Sequence, residues 1–552
     1  MKKIITFFIL LLCTLSVQLA EAQDRYVDEI FSEVSVTPDV VYGGNGTLLF
    51  FAQTMGDITY QELMMDIYEP VGDTQAERPL VLVFHNGNFL PPVTNGQISG
   101  LRTDSSAVEV CKQLARRGFT AASVSYRLGW NPLAQSQPER ALGLIQAAYR
   151  GVQDGRTAIR FFNKTYEDDG NPYKIDPTKI TVWGNGTGGY LVLGLTGLSA
   201  YEEIITTTNT AGKFLLDLNG DMVPETPMIV EAFHGDINGE VTTVVPMGGG
   251  FGLMEGDTSN YANHVGYSNT HHLSINVGGA LGDISWLDDN TTPMISVQSP
   301  FDQFAPYNDD ILLVPTTGDP IVQVQGAQKI GEWLESSGTN QQWKDYGFND
   351  AVTMEAMTNS TVSAMHPYYE GVYPLFNPVN SLGQEEGVVL NWWNPTDPTP
   401  VTSPCGGIPW NMCPHPSGVS FHESGLVLNE GMSAAKAKAN IAKVMSYFIP
   451  RACMALGMQC EGINASAEEA LLDESLVEMM PNPASDLVIV RTANNKMIQS
   501  IELYTIDGRL ISSNTNVNNT QTEIQVSNQV TGMYIVKIYL EEGIVAKKLS
   551  VK

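Results

Sequence analysis

The sequence predicts an α/β fold, a mostly parallel sheet with helices on both faces, followed by a C-terminal all-β sandwich-like module. Three observations carry this reading. Continuous apolar runs at 79–84, 120–126 and 180–183 read as strands covered on both faces. They alternate with helical patterns, the order of a parallel sheet crossed by helices. From about 479 onward the pattern changes to short alternating strands separated by turn signals such as Asp507-Gly508.

The chain begins Met1-Lys2-Lys3, then runs apolar from Ile4 to Leu12 and reaches Ala20-Glu21-Ala22. That is a secretory signal peptide over 1–22, cut before Gln23. No later stretch is long and apolar enough to span a bilayer. At 552 residues the chain is too long for one ordinary core. The 60 acidic residues against 30 basic ones give a net charge of −30. This excludes phosphate recognition through clustered Lys and Arg, and so nucleic-acid binding. Cys405 lies near Cys413, and Cys453 near Cys460, the spacing of two short-loop disulfides in an exported protein. Cys111 sits within a helical pattern and reads as a buried small apolar residue.

Residues 24–60 supply leading strands or an arm, and 63–68 alternate as an antiparallel strand ending at Pro70. Helices are expected at 106–118, with a glycine stop, at 139–163 and at 190–198. Residues 199–272 read as an insertion over the carboxyl end of the sheet. Strands resume at 272–277 and 293–297, followed by a helix at 326–336 and a short last strand near 341–346. Residues 349–430 form a long irregular segment of the kind that makes a lid or binding loop. A helix at 433–449 closes the sheet. The first domain is therefore placed at 23–463, a linker at 464–478 and the β-module at 479–552.

The stretch from Lys179 to Tyr190 organises the first domain. Strand, glycine-rich corner and helix follow one another, the context of a G-x-S-x-G nucleophile elbow. Gly184 and Gly188 take the framing positions. The nucleophile position falls on Gly186, which has no side chain to form an acyl-enzyme. Glycine also adopts the positive φ of such a corner without strain.

Several ordered motifs extend the likeness. Phe84-His-Asn-Gly-Asn-Phe89 resembles an HGGG-type oxyanion loop, with Asn86 and Asn88 in place of glycines. Ser125-Tyr-Arg-Leu-Gly129, Asp154-Gly-Arg-Thr-Ala-Ile-Arg160 and Ile175-Asp-Pro-Thr-Lys-Ile180 resemble the segments around and before the elbow in the α/β-hydrolase fold, specifically its carboxylesterase and lipase-like branch. Residues 60–350 and 420–452 share this resemblance. Pro481-Asn-Pro-Ala-Ser-Asp486, Ile506-Asp-Gly-Arg509, Gly532-Met-Tyr-Ile-Val536 and the basic end Lys547–Lys552 resemble the sorting domain of type IX secretion. That likeness implies dealings with the secretion machinery, export, removal of the module, and release or surface attachment.

The esterase resemblance implies a small-molecule ester or related ligand, no cofactor, and a set of site residues. Backbone N–H groups of Gly87 and Thr187 stand at the oxyanion positions, with Asn88 beside them. Asp302, in Ser299-Pro-Phe-Asp-Gln-Phe-Ala-Pro306 after a buried strand, is the triad acid. His422, then His415, are the candidate bases by chain order, and His366 also qualifies. Thr187 lies one residue beyond the nucleophile position. Three functions stay open: an esterase-like protein impaired at Gly186, an active esterase using Thr187 or an activated water, and a non-catalytic ligand-binding protein. Asp217-Leu-Asn-Gly-Asp221 has the oxygen spacing of a calcium loop. Met222, Pro224 and Met228 stand where that loop needs other residues, so an Asx-rich turn is expected there and no metal.

Overall fold

The sheet is built on period-two alternation. In a computed structural model, Leu80, Leu82 and Phe84 of one strand enter the core on one face, and Val81 and Val83 enter the core on the other. The described residues are 24–48, 58–91, 94–218, 220–221, 223–248, 253–302, 304–313, 318–375, 377–378, 380–383, 385–387, 389–399, 405–460, 476–492, 496–505, 510–514, 517–540 and 543–552. The expected signal peptide, most of the expected linker and the segment 506–509 lie outside them.

Among the described residues the central sheet has eight strands: β1 (Val34–Leu48), β2 (Ile58–Pro70), β3 (Arg78–Phe84), β4 (Thr120–Val124), β5 (Ile175–Asn185), β6 (Leu273–Val277), β7 (Met294–Gln298) and β8 (Val372–Pro374). Their spatial order is β1-β2-β4-β3-β5-β6-β7-β8. The first two strands are antiparallel to their neighbours. From β4 through β3 to β8 all neighbours are parallel. The strand-order reversal at the centre of the sheet opens a crevice at the carboxyl ends, where ligands of such folds bind.

The α-helices longer than four residues among the described residues are α1 (Ser105–Arg116), α2 (Gln137–Glu167), α3 (Thr187–Gly197), α4 (Ala327–Ser337), α5 (Gln341–Tyr346), α6 (Ala351–Thr358), α7 (Phe421–Val427) and α8 (Ala434–Ala455). α2, α3 and α4 pack on one face of the sheet, and α1, α5 and α8 on the other. A capping box explains where the long α2 starts. The Ser136 hydroxyl accepts from the Glu139 N–H, the Glu139 carboxylate accepts from the Ser136 N–H, and a proline stands in the first turn.

Two buried ion pairs tie the frame together. Arg127, just after β4, meets Asp154 of α2 at 2.8 Å with both side chains fully buried. Arg127 Nη2 also donates to Gln153 Oε1 at 2.8 Å. Burial pushes the Asp154 carboxyl up, against the pull of Arg127. Arg451 of α8 donates through Nε to Glu370 at 2.7 Å and lies 3.5 Å from the Tyr447 ring centroid. Removing one partner from such a pair strands a buried charge.

Three expectations are corrected. Residues 341–346 form helix α5, not a strand: Trp343 and Tyr346 are three apart, Trp343 is buried, and its Nε1 donates to the Arg451 carbonyl at 3.1 Å. The last strand is therefore β8, and His366 precedes it. The segment 349–430 is not wholly irregular, because Asp350 caps α6 by accepting from the N–H groups of Val352 and Thr353. Finally, α8 does not stop at Ile449 but runs through Pro450 to Ala455. The buried Arg451 side chain holds the last turn in place.

The C-terminal module has a three-stranded sheet (Val477–Met480, Leu487–Thr492, Gln521–Gln525) and a four-stranded one (Leu510–Asn514, Ile498–Thr505, Gly532–Leu540, Gly543–Val551). All strand pairings within these two sheets are antiparallel. Val488, Val490, Leu503, Val536, Ile538 and Leu549 share one core between the sheets. The strands Val477–Met480 and Leu510–Asn514 were absent from the sequence reading. No helix among the described residues is long and apolar enough to cross a membrane.

Candidate active site

The corner after β5 has the backbone of a nucleophile elbow. Gly186 has φ 52° and ψ −115° and opens α3 as its cap residue. Its N–H donates to the Val277 carbonyl at 2.8 Å, and its carbonyl accepts from the Gly189 N–H at 2.8 Å. The framing glycines are required by close approach. A Cβ on Gly184 would lie 2.1 Å from the Gly188 carbonyl oxygen, and one on Gly188 would lie 2.2 Å from that of Phe84.

The space above Gly186 is filled. A Cβ at residue 186 would meet Asn86 Oδ1 at 2.3 Å and Asn86 Cγ at 2.5 Å. Asn86 Oδ1 accepts from the Thr187 N–H at 3.1 Å and from the Thr187 hydroxyl at 3.3 Å. The amide of Asn86 thus holds the donor that an oxyanion would use. The loop behind it is anchored. His85 stacks on Tyr126, whose hydroxyl donates to the His85 carbonyl at 2.8 Å, and burial pushes the His85 imidazole down to about 4. The hydroxyls of Tyr126 and Thr187 are 3.3 Å apart.

This corner opens into a cavity of about 240 Å³. Asn86, Asn88, Asn185, Gly186, Thr187 and Asp302 line its polar part, while Ile145, Val152, Leu198, Phe214, Ile229 and Trp286 line an apolar part. The insertion expected over the sheet supplies Ile204, Phe214 and Ile229 of that lining. Gly87 stands beside the cavity between two residues that line it. It has φ 132°, and a Cβ there would meet Gly100 Cα at 2.5 Å.

Asp302 lies in the turn after β7. Its Oδ1 accepts from the N–H groups of Phe304 at 2.7 Å and Ala305 at 3.1 Å. Burial pushes its carboxyl up to about 7, with those N–H groups opposing and Glu385 adding to the rise. Asp104, before α1, also lines the cavity. Its Oδ2 accepts from the N–H groups of Gly100 at 2.7 Å and Leu101 at 3.2 Å, and burial again pushes the carboxyl up to about 7.

The two ranked histidines stand elsewhere. His422 Nδ1 accepts from the Trp393 indole N–H at 3.1 Å. His415 Nδ1 accepts from the Ser417 N–H at 3.1 Å, and its ring meets Phe421 edge-on at 4.8 Å. Neither lines the cavity, and no His, Lys or Arg is among the described residues that do. The structure therefore brings together Gly186, Thr187, Asn88 and Asp302, but not His415 or His422. The disulfides Cys405–Cys413 and Cys453–Cys460 are formed, and Cys111 is free and buried. In the acidic turn, Asp217 and Asp221 accept from the N–H groups of Gly220 and Val223 as in Asx turns.

Sequence reasoning missed Asp104 and the placement of the Asn86 amide. The signal for Asn86 was present, because a side chain stands at a glycine position of the oxyanion-type loop and residue 186 has none.

These features define an esterase-like α/β hydrolase domain. The comparisons agree: residues 65–334 match the family described as BD-FAE, and residues 478–552 match the secretion system C-terminal sorting domain. Among solved structures, a truncated form of a carbohydrate esterase from gut microbiota is 14% identical over 51% of this chain and 81% of that one, with a TM-score of 0.27. A thermophilic esterase of the planctomycete Thermogutta terrifontis, propionate-bound, is 15% identical over 51% of this chain and 77% of that one, with a TM-score of 0.25. A bifunctional GH43-CE protein of Bacteroides eggerthii is 14% identical over 49% of this chain and 31% of that one, with a TM-score of 0.26. No curated protein matches the chain. The sorting domain marks the protein for secretion or display at the cell surface.

Proposed function

We propose that this exported protein is an esterase-type scaffold whose carboxylic-ester hydrolysis is impaired at Gly186, and that its cavity holds a small ligand without forming an acyl-enzyme. In this reading the mature form lacks the signal peptide at 1–22 and the sorting domain at 479–552. The observation that carries the reading is the Asn86 amide standing within 2.3 Å of where a residue-186 Cβ would lie. The nucleophile is missing, its space is taken, and the Thr187 N–H is engaged.

An active esterase using Thr187 is less well supported. The Thr187 hydroxyl has the Asn86 amide and the Tyr126 phenol as neighbours, and burial pushes that phenol up. Neither group is a base for its proton. Asp302 is the acidic member of the site in every version of the reading.

The test is hydrolysis of p-nitrophenyl acetate and butyrate by the mature protein, with labelling by a fluorophosphonate. Neither turnover above buffer nor labelling is expected, and saturable binding of an apolar ligand is. Turnover that the reagent abolishes would overturn the proposal.

A further inference from the structure

The cavity contains polar atoms that the fold leaves without partners. Asn185 is 7% exposed and lines the wall. Its Oδ1 accepts from the Trp183 indole N–H at 2.9 Å, and its Nδ2 has no partner. A buried donor without an acceptor is costly. Asn185 pairs in register with Val277, and Asp302 Oδ2 faces the next residue, Gly278. The two backbone N–H groups that bind Asp302 both reach Oδ1. The bonds to Asp104 both reach Oδ2. Each carboxyl therefore keeps one oxygen uncommitted toward a cavity that no cationic side chain lines.

We infer that this cavity selects a protonated primary amine on an apolar body, its N–H groups meeting the free carboxyl oxygen of Asp302. Asp104 adds to the negative field. The walls suit the rest of such a ligand, with Tyr190, Phe214, Trp286 and Phe304 offering rings to the body and to the cation. A carboxylate would face two like charges with nothing to offset them. This inference rests on the reading of the cavity as a ligand site and names the class of ligand.

The selectivity follows the ionisation of the carboxyls. The other groups facing them are Glu385, which accepts from the Ser299 hydroxyl, and the neutral phenols of Tyr190 and Tyr126. Below the range in which Asp302 ionises, the amine loses its counter-charge.

The test is calorimetric titration of the mature protein with three molecules of nearly one shape: 3-butoxypropylamine, 3-butoxypropan-1-ol and 3-butoxypropanoate. At about pH 8 the amine is expected to bind about tenfold or more tighter than the alcohol, and the carboxylate weakest. Asp302→Asn should abolish the preference for the amine over the alcohol. Should that variant fail to fold, the wild type at about pH 5.5 gives the same information, because the preference should collapse there. Equal binding of amine and alcohol at about pH 8, or tighter binding of the carboxylate, overturns the inference and leaves the ligand-site reading intact. Binding of none of the three overturns both.

Discussion

The corner at Gly186 and the turn at Asp302 both close the carboxyl end of the sheet, and they have kept different things. On the function proposed above, the corner keeps its backbone and lacks its reactive atom. The turn keeps its carboxyl, while no histidine of the cavity wall is available to it. The difference is one of physical support. The corner is set by close approach between main chains at Gly184 and Gly188, so its path does not depend on the side chain at 186. A triad, by contrast, depends on a histidine delivered from a loop, and in the segment after β8 His415 and His422 contact Ser417, Phe421 and Trp393 rather than the turn. Backbone geometry held by packing persists without chemistry, and chemistry spread over loops does not.

The hardest blow to the corner should be Gly188→Ala. Its Cβ would stand 2.2 Å from the Phe84 carbonyl oxygen, and overpacking against main chain should cost about 3 kcal/mol or more. Chemical denaturation reads this directly. A loss within experimental error would mean that close packing is not what fixes the elbow.

Gly186→Ser comes next. It adds positive-φ strain of about 1–3 kcal/mol and a collision with Asn86. The melting temperature should fall, with no gain of p-nitrophenyl butyrate hydrolysis. Asn86→Gly in the same chain should recover part of the loss, a non-additive pair of neighbours. Strict additivity would show that Asn86 does not fill the nucleophile's space.

The turn should respond in the opposite direction. An unfolded Asp titrates at about 4, and the folded Asp302 at about 7. The unfolded state therefore sheds its proton first, and wild-type stability falls as pH rises through that window. Asp302→Asn removes the loss while keeping an oxygen for the Phe304 and Ala305 N–H groups. It should gain about 1–2 kcal/mol at about pH 8, since cavity water screens part of the penalty, and nothing at about pH 4. Equal stability of the two proteins at both pH values would show that Asp302 is ionised in the fold without penalty.

The smallest effect is expected at His422. His422→Ala should leave ligand affinity in the cavity unchanged and cost about 1 kcal/mol or less through the unpaired Trp393 indole. A drop in affinity would place this histidine at the cavity after all.

Much of this molecule was legible without coordinates. Apolar runs with β-branched residues marked β3, β5, β6 and β7, and the glycine spacing marked the corner, because strand periodicity and close approach are local constraints. The reading failed at α5, where Trp343 and Tyr346 alone are too few to fix a period and burial of Trp343 against α8 decided. It failed likewise at β8, three residues long, whose pairing with β7 is a non-local choice.

By itself, the sequence determined the class of fold, the sorting module and the lack of a side chain at residue 186, since each is written in residue type and spacing. Tertiary structure alone decided that Asn86 occupies the vacated space, that Asp104 and Asp302 share one cavity, and that His415 and His422 stand away from it. Those outcomes depend on where loops far apart in the chain come to rest, and loop placement follows from packing against the whole frame rather than from any local pattern.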